Sequence, residues 1–440
     1  MTTRRFSLKW LLVLVALLVI PVLIAPLVPL DFLKPAVESR LSTMLGRKVA
    51  VNSIRLSLWG GPYLTIGGMM AKESPDFGDD YFLKADQVRA DFAVFQYLFH
   101  QEIAIDALEI KSPEFTLVKN REGVWSWTTI GEQPPDSQSA ARATVLNNAE
   151  TLHAAFAMLG NILSSAQLRS IEIEDASVRL INLAGAQPSE SLYKHIALRA
   201  SLAPIADKTG SRATGELRAD STEDEAAEIL KTTLPFDLNI SREPLGLLID
   251  GSVGPGPFET RNFAAANFTV NCQLNAQRRI DARPTEPQQS PSNIHGTGHI
   301  SCSGVILPRI NISERVASRL SVNQIGDMNP GTSIGNLETD FQVEQGVYKT
   351  TGLRIQQLDG LGDAIADQGW FKTEPALLLN YNATIRLSDE ATKQVKATSP
   401  VVGLIVELLE NNNRLALALN IAGDVRSPQI SVDVLRTLGL

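Results

Sequence analysis

The stretch Phe268-Thr269-Val270-Asn271-Cys272-Gln273-Leu274-Asn275-Ala276 puts an apolar side chain at every even position and a polar one at every odd position. A period of two marks a strand with one buried face and one wetted face. The same alternation recurs at Ile300, Cys302, Gly304 and Ile306 downstream, and at Val88, Ala90, Phe92 and Val94 upstream. Shorter runs of this kind, separated by Gly-, Pro- and Asp-containing turns, fill most of the chain, for roughly 17 expected strands. They include Leu168 to Leu180, Ile196 to Leu202, Leu234 to Ile240, Leu245 to Val253, Leu337 to Val347, Gly352 to Leu358, Leu377 to Leu387, Leu415 to Ile421 and Ile430 to Val434. The fold class is therefore mainly β with a few helices, α+β in kind.

Four segments break the pattern. Lys34 to Leu45 has helical spacing and closes at Gly46, a natural left-handed stop. Phe95 to Glu102 reads as one helical turn. Ala143 to Ala166 carries Val145, Ala149, Leu152, Phe156, Leu159 and Leu163 on one stripe, an amphipathic helix. Val401 to Leu409 is apolar on most sides and too short to span a bilayer. In the first strands the apolar parity changes between Val51 and Ile54, which predicts a bulge around Asn52 and Ser53. The run from Ser170 echoes the run from Glu102, a weak internal repeat.

At the N-terminus, Trp10 to Leu30 is free of charge and long enough to cross a hydrocarbon core of about 30 Å as a helix. Arg4, Arg5 and Lys9 precede it, so the positive-inside rule predicts a cytoplasmic start and an exported remainder. No small-x-small cleavage pattern follows, which favours a retained single-pass anchor over a signal peptide. The organisation read from composition is an anchor over 1–30, a β unit over 31–131, a linker with the amphipathic helix over 132–166, a central β region over 167–310 and a C-terminal β region with a helix over 311–440.

The formal charge of −8 and the pI near 5.3, with no basic cluster among aromatics, argue against a nucleic-acid partner. Nucleophile-elbow, zincin and complete dinucleotide-binding motifs are missing from the sequence, so neither an enzyme nor a cofactor is expected. His295 and His299 lie near Cys302, but on odd positions of a strand that puts Cys302 on its other face, which argues against a metal site. Cys272 and Cys302 both fall on apolar faces. If their strands pair about a loop centred on residue 287, the two meet, and an oxidising compartment would then join them.

Several local patterns combine into a family resemblance. Gly46-Arg47-x-Val49-x-Val51 opens the exported part, a strand-helix-strand passage ends over Ile103 to Pro113, and Asn120-x-x-Gly123-x-Trp125-x-Trp127 closes the first β unit. Near the C-terminus stand Phe341-x-Val343-x-x-Gly346-Val347 and Leu417-x-Leu419-x-Ile421-x-Gly423-Asp424-Val425-x-Ser427-Pro428-x-Ile430. With the single anchor, these patterns resemble the AsmA-like proteins, relatives of TamB. The family usually has Asn between the two tryptophans, where this chain has Ser126. Trp125 and Trp127, sharing parity, are expected to close the core of the first unit.

The resemblance implies an inner-membrane-anchored periplasmic protein folded as an elongated, curved antiparallel β-sheet groove, similar at its start to chorein-type lipid-transfer domains. On that reading Phe92, Val94, Phe268, Val270 and Leu274 are groove candidates, phospholipid acyl chains the ligand, envelope proteins further partners, and lipid handling or outer-membrane assembly the task. The alternative is a β-sandwich scaffold of an envelope complex with a filled core that binds protein and not lipid. Periodicity by itself fits both, since either arrangement hides the apolar face.

Overall fold

A computed structural model describes residues 30–57, 63–92, 105–130, 168–184, 188–205, 210–222, 227–243, 246–277, 294–320, 322, 325–326, 330–344, 347–372, 378–410, 413–424 and 428–437. The expected anchor, the helical turn after Phe95 and the amphipathic helix of Ala143 to Ala166 lie outside the described residues. Among the described residues no helix is long and apolar enough to cross a membrane. Strands dominate the rest, divided between two compact units whose boundary falls between Pro204 and Ile205.

The first unit holds helix α1 (Lys34–Leu45) and strands β1 (Val49–Ser57), β2 (Tyr63–Lys72), β3 (Tyr81–Phe92), β4 (Ile105–Lys111), β5 (Glu114–Lys119), β6 (Ser170–Asn182) and β7 (Ser189–Pro204). Helix α1 stops where expected, with Gly46 left-handed at φ 64° and its N–H donating to the Ser42 carbonyl. Its Val37, Leu41 and Leu45 pack onto Val49, Val51, Ile54, Ile66 and Phe82. β1 and β2 pair one to one from Val49↔Ala71 to Ser57↔Tyr63, so the change of parity needs no extra residue. It is made instead by Gly68, at φ 61°, where a Cβ would sit 2.2 Å from the Asn52 side-chain nitrogen.

β4 and β5 form one line interrupted at Ser112-Pro113, and β3 pairs antiparallel with both halves. On the other edge both halves run parallel to β6, with Leu108 opposite Ile171 and Ile110 opposite Ile173. The sheet is thus not wholly antiparallel, as the sequence reading expected. The two echoing runs are parallel neighbours, which requires a crossover connection between Lys119 and Ser170. Ser112 in the break, Asp175 in β6 and His195 in β7 all have positive φ, so the kink passes from strand to strand, and Asp175 bonds His195 at 2.8 Å.

The second unit is a meander in which every strand is antiparallel to the next. Its members are β8 (Gly210–Ser221), β9 (Leu230–Glu243), β10 (Gly246–Thr260), β11 (Ala264–Gln277), β12 (Ile294–Leu307), β13 (Thr332–Glu344), β14 (Val347–Leu358), β15 (Gly362–Lys372), β16 (Leu378–Leu387), β17 (Ala416–Asp424) and β18 (Gln429–Val432). The expected single strand from Leu337 to Val347 is the end of β13 and the first residue of β14. Helix α2 (Ile312–Leu320) follows β12, α3 (Asp389–Lys396) and α4 (Pro400–Leu409) follow β16, and α5 (Val434–Thr437) ends the described chain. Each of the first three starts on a side-chain cap: Asn311 accepts from the Glu314 amide at 2.8 Å, Ser388 from Ala391 at 3.1 Å and Ser399 from Val402 at 3.2 Å.

The second unit's main core lies at one end of the sheet's apolar face. Val305, Ile334, Leu358, Ala364, Ile385, Leu417 and Leu419 form it with Val316 of α2, Val395 of α3 and Val406 of α4. Asp359 is fully buried there at positive φ, and its carboxylate accepts from the Ser313 hydroxyl at 2.6 Å, which ties α2 to the β14–β15 turn.

Candidate functional site

Two of the motifs that carried the family resemblance, the one at Arg47 and the one around Ser126, meet in one buried polar cluster. The Arg47 guanidinium pairs with Glu73, and each side chain is only 1% exposed. It also donates to the Ser126 carbonyl and to the Thr129 hydroxyl, the latter at 2.9 Å, and stacks over the Phe82 ring at 4.4 Å. Ser126 is fully buried, and its hydroxyl accepts from the Val118 amide at 3.0 Å. The turn before it is set by Asn120, whose side chain accepts from the Glu122 and Val124 amides, and by Gly123 at φ 86°. The arrangement fastens the chain leaving β5 to the start of β1, so the motif is read here as a structural clasp.

Trp125 and Trp127 do not share an extended segment. Trp125 makes a bridge to Lys119 and carries that residue's ammonium over its ring, while Ser126–Thr129 form a 3-10 turn. Trp127 packs against the first unit's core as expected; Trp125 is outside it. Glu73, the partner that makes a buried Arg47 tolerable, sits in a polar loop and carried no signal in the sequence.

In the second unit the alternation adds up to continuous ladders, because the registers keep parity from strand to strand. One apolar rung runs Ala213, Leu238, Gly251, Cys272, Gly298, Phe341, Thr350, Gly369, Tyr381, Ile421 and Ile430, one residue from each of the eleven strands. Glycines recur beside the large rings: a Cβ at Gly369 would lie 2.1 Å from the Tyr381 ring, and one at Gly298 would lie 2.5 Å from Phe341. Tyr381 crosses Gly369 to bond Thr350 at 3.1 Å, and burial raises its pKa. A second rung carries Ile240, Ile249, Leu274, Gly296, Val343, Tyr348, Phe371 and Leu379, with Tyr348 and Phe371 stacked at 4.6 Å.

Phe268, Val270 and Leu274 share this apolar face. Phe268 packs against the core under the helices, whereas Val270 and Leu274 stand outside that cluster and are half-buried. Phe92 is the last residue of β3 in the first unit, and Val94 lies outside the described residues.

The two cysteines do not meet. β11 and β12 are antiparallel neighbours as expected, but Phe268 opposes Cys302 and Cys272 opposes Gly298. The pairing is centred on residue 285 and not 287, and a shift of two in the centre moves the register by four residues, about 13 Å along a strand. That separation is far beyond a disulfide's Cα span of about 7 Å. Both thiols are free; burial pushes Cys302 up to about 11, and burial with the nearby Asp250 raises Cys272.

Polar residues alternate with these rungs and point the other way. One polar row is Arg212, Asn239, Asp250, Gln273, Thr297, Gln342, Lys349, Trp370 and Asn380; beside it lie Asp237, Ser252, Asn271, His299, Asp340 and Thr351. They line a concavity of about 1460 Å³ that extends from β8 to β16, on the face opposite Val270 and Leu274. Arg212 bonds Asp237 at 2.7 Å and holds its carboxyl below the usual range, and His299 bonds Asp340 at 2.8 Å. His299 is on this polar face and Cys302 on the other; among the described residues no three His, Cys, Asp or Glu side chains are placed to hold a metal. Nothing in the sequence reading pointed to this concavity, because curvature leaves no mark in a period of two.

The AsmA family model matches residues 1–271 of the 440. No curated protein matches the chain.

Proposed function

The chain belongs to the AsmA family, and from that premise we propose that it is an inner-membrane-anchored envelope protein that handles lipid through an apolar sheet face, without covalent chemistry. Trp10 to Leu30 is the anchor and the bulk of the chain is periplasmic in this reading, with outer-membrane assembly as the wider process it serves.

The observation that carries the proposal is the half-buried part of the apolar ladder around Val270, Leu274, Ile249 and Phe371. Large side chains there are neither water-exposed nor enclosed under the helices. An acyl chain laid along them would gain about 0.8 kcal/mol for each methylene removed from water. The capped end under α2, α3 and α4 is a filled core, and a scaffold role would be served by that end alone.

The test is a mass spectrum of lipids retained by the full chain after purification in detergent, compared with Val270→Asp. A carboxylate on an open apolar face is hydrated and leaves the fold intact while repelling acyl chains; in a filled core it costs several kcal/mol and unfolds the unit. Retained phospholipid that is lost from a folded Val270→Asp variant supports lipid handling. A lipid-free chain, or a variant that unfolds, supports the scaffold.

A further inference from the structure

The polar concavity of the second unit is a binding site of its own, and we propose that it takes a neutral, hydroxyl-rich sugar chain. The inference goes beyond the lipid reading and uses the opposite face of the sheet.

Three features of the concavity point to that ligand. The first is its composition: seven of its 25 lining residues are Asn or Gln, against 22 Asn and 19 Gln in the whole chain of 440, so side-chain amides are concentrated about threefold. Amides offer donor and acceptor together, which is what a hydroxyl needs from its partner. The second is charge. Three cationic and three acidic side chains line the concavity, and Arg212 with Asp237 and Lys349 with Glu344 are already paired at 2.7 and 3.1 Å. A site for nucleic acid or an anionic headgroup would carry a clear cationic excess. The third is spacing. Asn239, Gln273, Gln342 and Asn380 lie on one polar row, on β9, β11, β13 and β16, so at about 4.8 Å per strand neighbouring amides stand about 10 to 14 Å apart, the reach of two or three sugar rings along an extended chain.

Trp370 completes the pattern. It occupies the same row between Lys349 and Asn380 and is half-buried, so part of its ring faces the concavity. An indole face stacks on the C–H face of a sugar ring, while the flanking amides bond its hydroxyls. The trough is long enough for several residues, since nine strands from β8 to β16 span about 38 Å at that strand spacing.

The full chain in detergent is tested on two arms: an array of free neutral hexose and N-acetylhexosamine oligosaccharides, and phosphatidylcholine vesicles with and without a digalactosyl lipid. The proposal expects binding in at least one arm. Binding should fall at least tenfold in Trp370→Ala and in the double variant Asn271→Ala/Gln273→Ala, whose two side chains are exposed and should leave the fold unchanged by circular dichroism. Binding on the array assigns a free glycan, and binding only to glycolipid vesicles assigns a saccharide headgroup. No binding in either arm, binding unchanged by folded trough variants, or binding that instead follows an anionic polymer such as heparin would overturn it.

Discussion

Arg47→Met removes the cation from the clasp while keeping a side chain of similar length, and its cost can be worked from the contacts. Arg47 and Glu73 are each 1% exposed, so the variant leaves a carboxylate buried without its counter-charge. Breaking a buried pair in this way costs about 3–5 kcal/mol. The Ser126 carbonyl loses its guanidinium donor too, which adds about 1–3 kcal/mol for a buried acceptor. The terms overlap, and a net loss of about 4 kcal/mol is expected, roughly a thousandfold in the folding equilibrium of the first unit. Urea titration followed by tryptophan emission reports it, because Trp125 and Trp127 flank the clasp. The double variant Arg47→Met/Glu73→Leu should recover most of the loss, since no buried charge remains. A single variant costing under about 1 kcal/mol, or a double variant no better than the single, would refute the clasp.

Further perturbations read other parts of the structure. Denatured without reductant, the chain should show two reactive thiols, and fewer than one would contradict the observed register. In the folded chain at pH 8 only about one Cys302 thiol in a thousand is ionised, so its alkylation should rise about tenfold per pH unit until pH approaches 11, with Cys272 reacting faster throughout. Gly369→Val drives a side chain into the Tyr381 ring and should lower the second unit's stability by about 1–3 kcal/mol in a denaturant titration; an unchanged midpoint would show that the ring does not lie over Gly369.

Strict alternation made β3, β11, β12 and β16 legible, because apolar and polar side chains take turns through Val88–Phe92, Phe268–Ala276, Ile300–Gly304 and Tyr381–Leu387. β8 was missed: its inward positions are Ser211, Ala213, Gly215, Leu217, Ala219 and Ser221, too small to stand out from the polar ones, although they lie in the same ladders. Helices α2 and α3 were missed for their length, nine and eight residues, even though Ile312, Val316 and Leu320 keep a spacing of four behind the Asn311 cap. The parallel pairing of β4 and β5 with β6 leaves no local trace, since partners 63 residues apart decide it. Register failed at the cysteines for a related reason: β11 and β12 keep one register from Ala264↔Ile306 to Ala276↔Ile294, centred on residue 285, and the midpoint between two cysteines does not fix that centre. The clasp showed only as a motif, and the polar concavity not at all, because both depend on which distant residues curvature and pairing bring together.

Lipid handling through the apolar face is tested most directly by a photo-crosslinking amino acid placed in the full chain at Val270 and, separately, at Asn271. These neighbours point to opposite faces of β11, so one strand supplies both the experiment and its control. Phospholipid adducts at position 270 and none at position 271 are the expected result; lipid captured at 271 alone, or only protein captured at 270, would contradict it.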